Sequence, residues 1–474
     1  MLFNSFPFLI FFAAYLAVHI ACPVRWRIWW LIIASAYFYG YWNWNYVWLP
    51  FVLIGSTFLM TSWVLNAEVK NRKAVLGLGV VMALLPLLFF KYTNFIWSDV
   101  AGPLGNWMFG WQYNTELLSW SRPLGISFIT FTLLAFLIDY YTGRYRAPLS
   151  LKWLLGYVLF FPHLISGPIL RPHELIPQLQ RGLHVRLKSI LPGLALITVG
   201  LVKKMVFADQ LGADVSYAYM PDTDRQWFDF LLAYYAFPVQ IYCDLSGYTD
   251  IALGLARILG VHLPRNFMQP YCAPSFTEFW QRWHITLSHW FRDYVFLYLP
   301  GSRRNYGKAL RNVVITMTLT GVWHGASMTF VVWGALNGLQ MALERLIKRA
   351  WRKRKPVPRL LRQLFTFHLV ALLLVLFRAS DFSMAFGVLK GLFSPSSIAM
   401  VSGDLLANAS VSHAFQISLI ILFFLLHPWD DNRRVIAACR LLGTRLTMGL
   451  IIMGLVLSIT VGINGTTQFI YFDF

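Results

Sequence analysis

The sequence predicts an all-helical protein that crosses a membrane many times, and three features of the chain support this. Hydrophobic residues make up 58% of its 474 residues and charged residues only 13%, about half of what soluble domains carry. Mean hydropathy is +0.56. Aromatic residues reach 17% and gather near the ends of apolar runs, as between Tyr37 and Trp48, where they would anchor helices at the headgroup level.

Apolar runs near the roughly 20 residues that cross a bilayer recur along the whole chain. We therefore predict about 11–12 transmembrane helices within a single domain, residues 1–474. No internal repeat is visible, which disfavours a transporter built from inverted repeats. The runs occur at residues 5–22, 28–45, 47–66, 74–92, 123–141, 189–208, 227–260, 309–327, 328–347, 361–378, 411–428 and 445–463.

Two stretches rich in proline and charge do not fit simple spans. They comprise residues 153–180 and 264–302. Broken helices at membrane depth are tolerated where protein buries them or where they line a wet cavity. We predict re-entrant or interfacial helices here, which together would form a depression.

The net charge of +20 does not indicate nucleic-acid binding. The basic residues form short clusters between apolar runs, as expected from the cytoplasmic excess of Lys and Arg in membrane proteins. The cysteines lie far apart, at Cys22, Cys243, Cys272 and Cys439. Neither a disulfide framework nor a metal site is predicted from them.

His324 is the first candidate for chemistry. It lies in the segment Trp323–Ser327, inside an apolar stretch, where an ionisable side chain suggests a functional site. Held between helices, the imidazole would lose its hydration and stay neutral, so that it could accept a proton. Trp323 and Ser327 could orient it through hydrogen bonds. The alternative is a core histidine satisfied by a neighbouring carbonyl.

Glycines around His324 predict close helix packing. Gly321 and Gly325 form one small-xxx-small pair, and Gly334 and Gly338 form another. Such pairs let helix backbones approach closely.

His284 is the second candidate. Read as a helix, residues 281–294 place His284, Ser288 and Arg292 on one face, with Arg282 on the next. The predicted helix is amphipathic, and its basic face could meet an anionic group. The alternative is a surface helix that only anchors a loop to the membrane.

A polar cluster interrupts the apolar run 227–260. It contains Asp244, Ser246, Tyr248 and Asp250, which are unfavourable in a span unless they line a cavity or find partners. A proton relay would explain the carboxylates, whereas a polar tunnel wall explains the hydroxyls as well. We favour the tunnel wall.

These segments together resemble the membrane-bound O-acyltransferase superfamily, in particular its bacterial branch that contains the alginate O-acetylation membrane protein. The likeness extends over essentially the whole chain. The matching segments are Pro123–Phe128, Ser166–Ile169, Gln240–Ala252, Arg282–Ser288, Phe291–Tyr294 and Trp323–Ser327.

The resemblance implies a ring of helices around a central tunnel, with a catalytic core at about residues 120–345. It implies an enzyme that transfers an acyl group from a cytoplasmic thioester to a hydroxyl. The catalytic histidine of the superfamily corresponds to His324, and the second histidine of the branch to His284. We expect His324 to act as general base and His284 to orient the thioester or return a proton.

The same resemblance suggests the substrates and partners. The expected donor is acetyl-CoA, with no bound cofactor and no metal. The expected acceptor is an extracytoplasmic polysaccharide, reached through a periplasmic O-acetyltransferase of the SGNH type, and the expected location is the bacterial inner membrane. Arg282 and Arg292 would meet the donor phosphates, and the acyl arm would pass the cluster around Asp244.

Two other functions remain open from the sequence. A D-alanyl transfer protein of teichoic-acid modification shares both histidine motifs and takes its acyl group from a carrier protein. A proton-coupled transporter or polysaccharide export protein would use Asp244, Asp250 and His324 as relay groups.

Overall fold

The computed structural model describes residues 1–68, 71–110, 121–220, 225–302, 304–350, 357–393, 411–462 and 469–470, without the side chains of 411 and 412. No strand occurs in these ranges, and the predicted all-α class is confirmed. The last residue of the predicted run 445–463 and parts of the predicted core 120–345 lie outside the described residues. The prediction of a single domain stays a prediction.

The helices follow one another with short connections. Their bounds are α1 Phe6–Ala21, α2 Val24–Gly40, α3 Trp48–Asn66, α4 Arg72–Phe95, α5 Gly102–Phe109, α6 Ile126–Thr142, α7 Leu151–Val158, α8 Phe161–Leu164, α9 Pro172–Gln180, α10 Leu187–Leu201, α11 Asp209–Ala218, α12 Trp227–Ile258, α13 Phe276–Arg282, α14 Ile285–Tyr294, α15 Tyr306–His324, α16 Met328–Ala350, α17 Arg359–Arg378, α18 Phe382–Phe393, α19 Val411–Leu426, α20 Asn432–Leu441 and α21 Gly443–Gly462.

Fewer helices than predicted are both long and apolar enough to cross a membrane. Within the described ranges there are five, or six if the bent pair α19 and α20 counts as one span. The other predicted runs form shorter helices, such as α1, or carry polar residues in their interior, as α12 does with Asp244 and Asp250. By the criteria of length and hydropathy, the described helices therefore do not reach the predicted count of about 11–12 spans.

The first of two compact units comprises Met1–Ile197 and Ile251–Pro264. Its aromatic side chains pack against one another, with Phe161 contacting Phe11, Tyr15 and Phe38 at ring distances of 5.2–5.8 Å. The predicted re-entrant segment 153–180 forms three short helices, α7, α8 and α9, and is largely buried.

The second unit comprises Thr198–Asp250 and Arg265–Phe474 and contains both candidate histidines. Its α15 and α16 form a hairpin in which Gly321 lies against Gly334. A Cβ atom on Gly321 would lie 2.2 Å from the Phe330 carbonyl oxygen and 3.0 Å from the Gly334 Cα. The close approach expected from the glycine pairs is thus confirmed.

One predicted element is wrong in detail. Residues 281–294 do not form a continuous helix, because the chain breaks at Trp283 and His284 between α13 and α14. His284 has φ 42°, in the left-handed region that helical hydrogen bonding cannot accommodate. His284, Ser288 and Arg292 therefore do not share one helical face.

We predict that Gly321→Ala weakens the α15–α16 hairpin. The added methyl group has no space against the Phe330 carbonyl, so the free energy of unfolding should fall by about 1–3 kcal/mol. Unfolding of the purified protein in detergent measures this. Gly449→Ala on α21 is the matched control, since its Cβ would meet no atom within 4 Å. Equal stability of the two variants would contradict the packing argument.

Candidate active site

His324 is the last residue of α15 and is only 2% exposed. Three aromatic rings contact its imidazole edge-on, those of Trp323 at 4.9 Å, Phe377 at 5.2 Å and Trp333 at 5.3 Å between ring centroids. The imidazole therefore lies in an aromatic box that excludes bulk water.

A small cavity opens beside His324. Its volume is about 10 Å³, roughly the space of one water molecule. Asn337 adds an amide to the otherwise aromatic and aliphatic walls and donates a hydrogen bond from Nδ2 to the Trp333 carbonyl at 2.8 Å. The cavity is lined by Ile241, Phe279, Trp280, Trp283, His324, Trp333, Asn337, Val370, Leu374 and Phe377.

His284 is held in its left-handed conformation by the segment before α13. Asn266 accepts hydrogen bonds at its carbonyl from the Ile285 N–H (2.8 Å) and at its side-chain oxygen from the Thr286 N–H (3.1 Å). On the other side of His284, the Met268 N–H donates to the Arg282 carbonyl at 2.9 Å. The Asn266 side chain thus takes the place of an N-cap for α14.

The two histidines share one neighbour. The Trp323 ring contacts the His284 ring at 6.4 Å and the His324 ring at 4.9 Å. His284 is 1% exposed, and burial lowers its pKa to about 3. The imidazole is therefore neutral near pH 7, which suits a hydrogen-bonding role better than that of a proton donor.

A larger, half-open groove lies along α14, α15 and α16. Its volume is about 280 Å³. Buried residues form its floor, among them Val313, Met317 and Met341, while Arg292 and Arg345 contribute positive charge. Its lining is Thr277, Trp280, Gln281, Ser288, His289, Phe291, Arg292, Phe296, Val313, Thr316, Met317, Thr320, Met341 and Arg345.

The groove and the His324 cavity are adjacent. Trp280 lines both of them. On α15, Thr316 and Thr320 line the groove, and His324 follows at the same four-residue spacing, which places all three on one face. A molecule in the groove would thus lie about one helical turn, roughly 5 Å, from His324.

The sequence model described as "MBOAT, membrane-bound O-acyltransferase family" matches residues 144–385, a range that contains both histidines and the groove. The chain belongs to the membrane-bound O-acyltransferase family. It is an O-acyltransferase and a multi-pass membrane protein.

Three relatives illustrate the range of similarity. The "Probable alginate O-acetylase AlgI" of Azotobacter vinelandii is 36% identical over 83% of this chain and 78% of the relative. The "Peptidoglycan O-acetyltransferase" of Helicobacter pylori is 32% identical over 78% and 74%, respectively. The "Teichoic acid D-alanyltransferase" of Bacillus subtilis is 26% identical over 69% and 84%.

The predicted arginines of this acyltransferase occupy different environments. The Arg292 side chain is 52% exposed, pairs with Asp293 at 2.7 Å and lines the groove. Arg282 is 15% exposed and forms an ion pair with Glu278. It does not line either cavity. Of the two arginines, only Arg292 is therefore placed to meet a ligand in the groove.

The residues predicted to flank His324 also differ in their contacts. Trp323 touches both imidazoles, as described above. The Ser327 hydroxyl accepts from the Thr329 N–H at 3.3 Å and donates to the Ser380 carbonyl at 3.3 Å. Ser327 thus caps the start of α16 and ties it to the connection between α17 and α18.

The predicted polar cluster on α12 takes part in buried ion pairs. Asp244 pairs with Lys204 at 2.8 Å and accepts a hydrogen bond from the Ile470 N–H at 2.7 Å. The Tyr248 ring packs on Phe469 at 4.7 Å, and Ser246 is buried nearby on α12. None of the three lines the His324 cavity or the groove, so their predicted contact with substrate stays a prediction.

Sequence reasoning missed several residues of the site. No motif marks Asn266, which binds N–H groups on a later segment of the chain, or Asn337, which bonds the Trp333 carbonyl on its own helix. Trp280 directly precedes the segment 281–294, and nothing in its local sequence distinguishes it from the neighbouring tryptophans. Arg345 lies on α16 close to the basic residues Lys348 and Arg349, so no local signal distinguishes it.

We predict that His284 does not shape the pH profile of acyl transfer near neutrality. Its lowered pKa keeps it neutral down to about pH 3. A His284→Gln variant should be slower than the wild type, yet kcat should keep the same apparent pKa between about pH 5 and 8. Initial rates of transfer in isolated membranes, measured across this range, test this. Loss of the titration in the variant would contradict a neutral His284.

Proposed function

We propose that this acyltransferase takes an acetyl group from acetyl-CoA at the cytoplasmic face of a bacterial inner membrane and passes it across for O-acetylation of an extracytoplasmic polysaccharide. The observation that carries the proposal is the adjacency of two spaces. A groove with cationic residues and an apolar floor shares the Trp280 wall with the buried cavity of His324.

The groove suits an acyl thioester that carries phosphates. Arg292 and Arg345 can pair with phosphate oxygens, for which guanidinium groups have a matched geometry. Val313, Met317 and Met341 provide the apolar floor along which an arm could lie. In this proposal coenzyme A is a substrate, and no resident cofactor takes part.

The transfer step places His324 as general base. Its imidazole takes the proton from the acceptor hydroxyl, and the hydroxyl oxygen attacks the thioester carbonyl carbon. The C–O bond forms, the C–S bond breaks, and the thiolate receives the proton from the His324 imidazolium. The products are an acetyl ester and a free thiol. The aromatic box around His324 excludes water that would otherwise hydrolyse the thioester.

In this scheme, His284 orients the reacting groups rather than supplying a proton. It is neutral, and it packs on Trp323, which also contacts His324. Restricting the imidazole and indole rings to one arrangement maintains the geometry that transfer requires.

The acceptor side of the proposal rests on the relatives. Two of them are named as an alginate O-acetylase and a peptidoglycan O-acetyltransferase, and these names favour a polysaccharide as the final acceptor. We propose that a periplasmic O-acetyltransferase of the SGNH type receives the acetyl group and acetylates the polymer.

The other two functions are less well supported. The D-alanyltransferase relative is 26% identical, against 36% for the alginate O-acetylase relative, which favours acetyl transfer. Asp244 and Asp250 each pair with a buried lysine, Lys204 and Lys203. Fixed ion pairs of this kind support a structural role over a transporter's proton relay.

The first test is the acetate bound to polymer. We expect deletion of the gene and His324→Ala at the native locus to remove the same pool of alkali-released acetate from the envelope and secreted polysaccharide. The physical reason is the loss of general-base catalysis, worth roughly 10²–10⁴ in rate. The fraction that loses acetate identifies the polymer.

The amount of variant protein in the membrane must equal that of the wild type. A His324→Ala strain with normal acetate, beside a deletion strain without it, would refute the assignment of His324 as the base. Normal acetate in both strains would refute polysaccharide O-acetylation as the function.

A second test addresses the donor groove. Arg292→Gln and Arg345→Gln should each raise KM for acetyl-CoA about tenfold, the equivalent of about 1.4 kcal/mol, with little change in kcat, because phosphate contacts hold the donor equally before and during the reaction. Thiol release in membrane vesicles measures both constants. Arg349→Gln is the matched control, one turn further along α16 and outside the groove lining. An equal rise in KM for the control would contradict a specific phosphate site.

A further inference from the structure

A sharp corner of the chain lies between α19 and α20. The chain direction bends by 77° between the two helices. The corner runs from the short turn His427–Trp429 through Asp430 and Asp431 to Asn432. It lies beyond residues 144–385, the range that the family model matches. We call residues 427–432 the corner.

The corner forms polar contacts with the segment 265–272, which precedes α13. Arg265 pairs with Asp431 at 3.0 Å. The Gln269 side-chain amide donates to the Asp430 carbonyl at 3.1 Å, and the Tyr271 N–H donates to His427 Nε2 at 3.2 Å. Three contacts thus hold the segment at its beginning, middle and end.

The same segment fixes the backbone on both sides of His284. Asn266 accepts hydrogen bonds from the N–H groups of Ile285 and Thr286, and the Met268 N–H donates to the Arg282 carbonyl. The contacts therefore run in series from the corner to the segment and from the segment to His284.

Two strained backbone positions lie along the chain of contacts from the corner to His284. Among the described residues, Gln269 (φ 44°) and His284 (φ 42°) are the non-glycine residues with positive φ. Such conformations persist only where the surroundings impose them. Gln269 is tied to the corner through its side chain, and His284 is flanked by the bonds of Asn266.

The corner is itself held by buried side chains on other helices. The Asp430 carboxylate accepts hydrogen bonds from the Lys203 ammonium and from the Tyr242 hydroxyl, each at 2.7 Å. Asn432 donates to Asp250 at 2.7 Å. These partners are buried on neighbouring helices, so the corner is a fixed point from which the segment can be held.

We propose that the corner is a clamp that sets the position of His284 for acyl transfer, with Arg265, Gln269 and Asp431 as positioning residues. This inference rests on the role of His284 in the proposed function. The clamp acts through the segment 265–272 and touches no substrate. It adds to the catalytic machinery a part of the chain that lies outside the matched family region.

The decisive variants break the Arg265–Asp431 pair and keep the fold. Asp431→Asn retains the N-cap of α20, in which the Asp431 side chain accepts from the Arg433 N–H at 2.8 Å, and removes only the charge. Arg265→Gln removes the other partner. We expect each to lower kcat by roughly 10–100-fold, since small displacements at a distance can cost this much, with KM for acetyl-CoA unchanged.

Two further variants separate positioning from mere stability. Arg265→Lys keeps the charge and should retain most of the activity. The double variant Arg265→Asp/Asp431→Arg exchanges the two charges of the ion pair, and its kcat should exceed that of either single variant. Arg440→Gln is the matched control, because Arg440 is exposed near the other end of α20, outside the corner, and its kcat should equal that of the wild type.

The outcomes distinguish the clamp from the proposed function. The clamp is supported if the single variants lower kcat without changing KM, and if kcat is restored by the charge exchange or stays high in Arg265→Lys. Unchanged kcat in Arg265→Gln and Asp431→Asn overturns it. So does a loss of kcat that follows the amount of folded protein in thermal unfolding, or one that appears equally in Arg440→Gln. If His284→Ala retains full activity, the role of His284 in the proposed function fails, whatever these variants do.

Discussion

Charges removed from water need partners inside the protein, and this constraint organises the second unit. Lys203 and Lys204 are neighbours on one helical turn, and each lies between two aspartates at 2.7 or 2.8 Å. An isolated buried charge would be strongly unfavourable. The pairs therefore hold α12 and the corner at residues 427–432 in one arrangement, against which the segments of the site are placed.

The site depends on this arrangement in two ways. α12 contributes Ile241 to the cavity of His324, one residue before Tyr242, whose hydroxyl donates to Asp430. The corner holds the segment that fixes His284. Fixed charges thus act at a distance from the chemistry, while the groups next to His324 are almost entirely aromatic and aliphatic. A pocket with such walls keeps bulk water away from a reaction that water would spoil.

Close backbone packing gives the site its second fixed reference. Gly321 and Gly334 allow α15 and α16 to meet without side chains between them. His324 ends α15, so its position follows from this contact together with the surrounding rings of Trp333 and Phe377. The groove continues along the same two helices. In the proposed function, donor binding and catalysis therefore share one hairpin.

The sequence alone determined the helical membrane class, the glycine packing and the family, because these follow from composition, short spacing and contiguous motifs. By the same motifs it marked both histidines as candidates. Only the tertiary structure decided the break at His284, the partners of Asp244, and the joining of Arg292 with Arg345 in one groove. These depend on contacts between residues far apart in the chain. Asn266 and Asp431 have no local pattern that marks them, since their role is to satisfy groups on other segments.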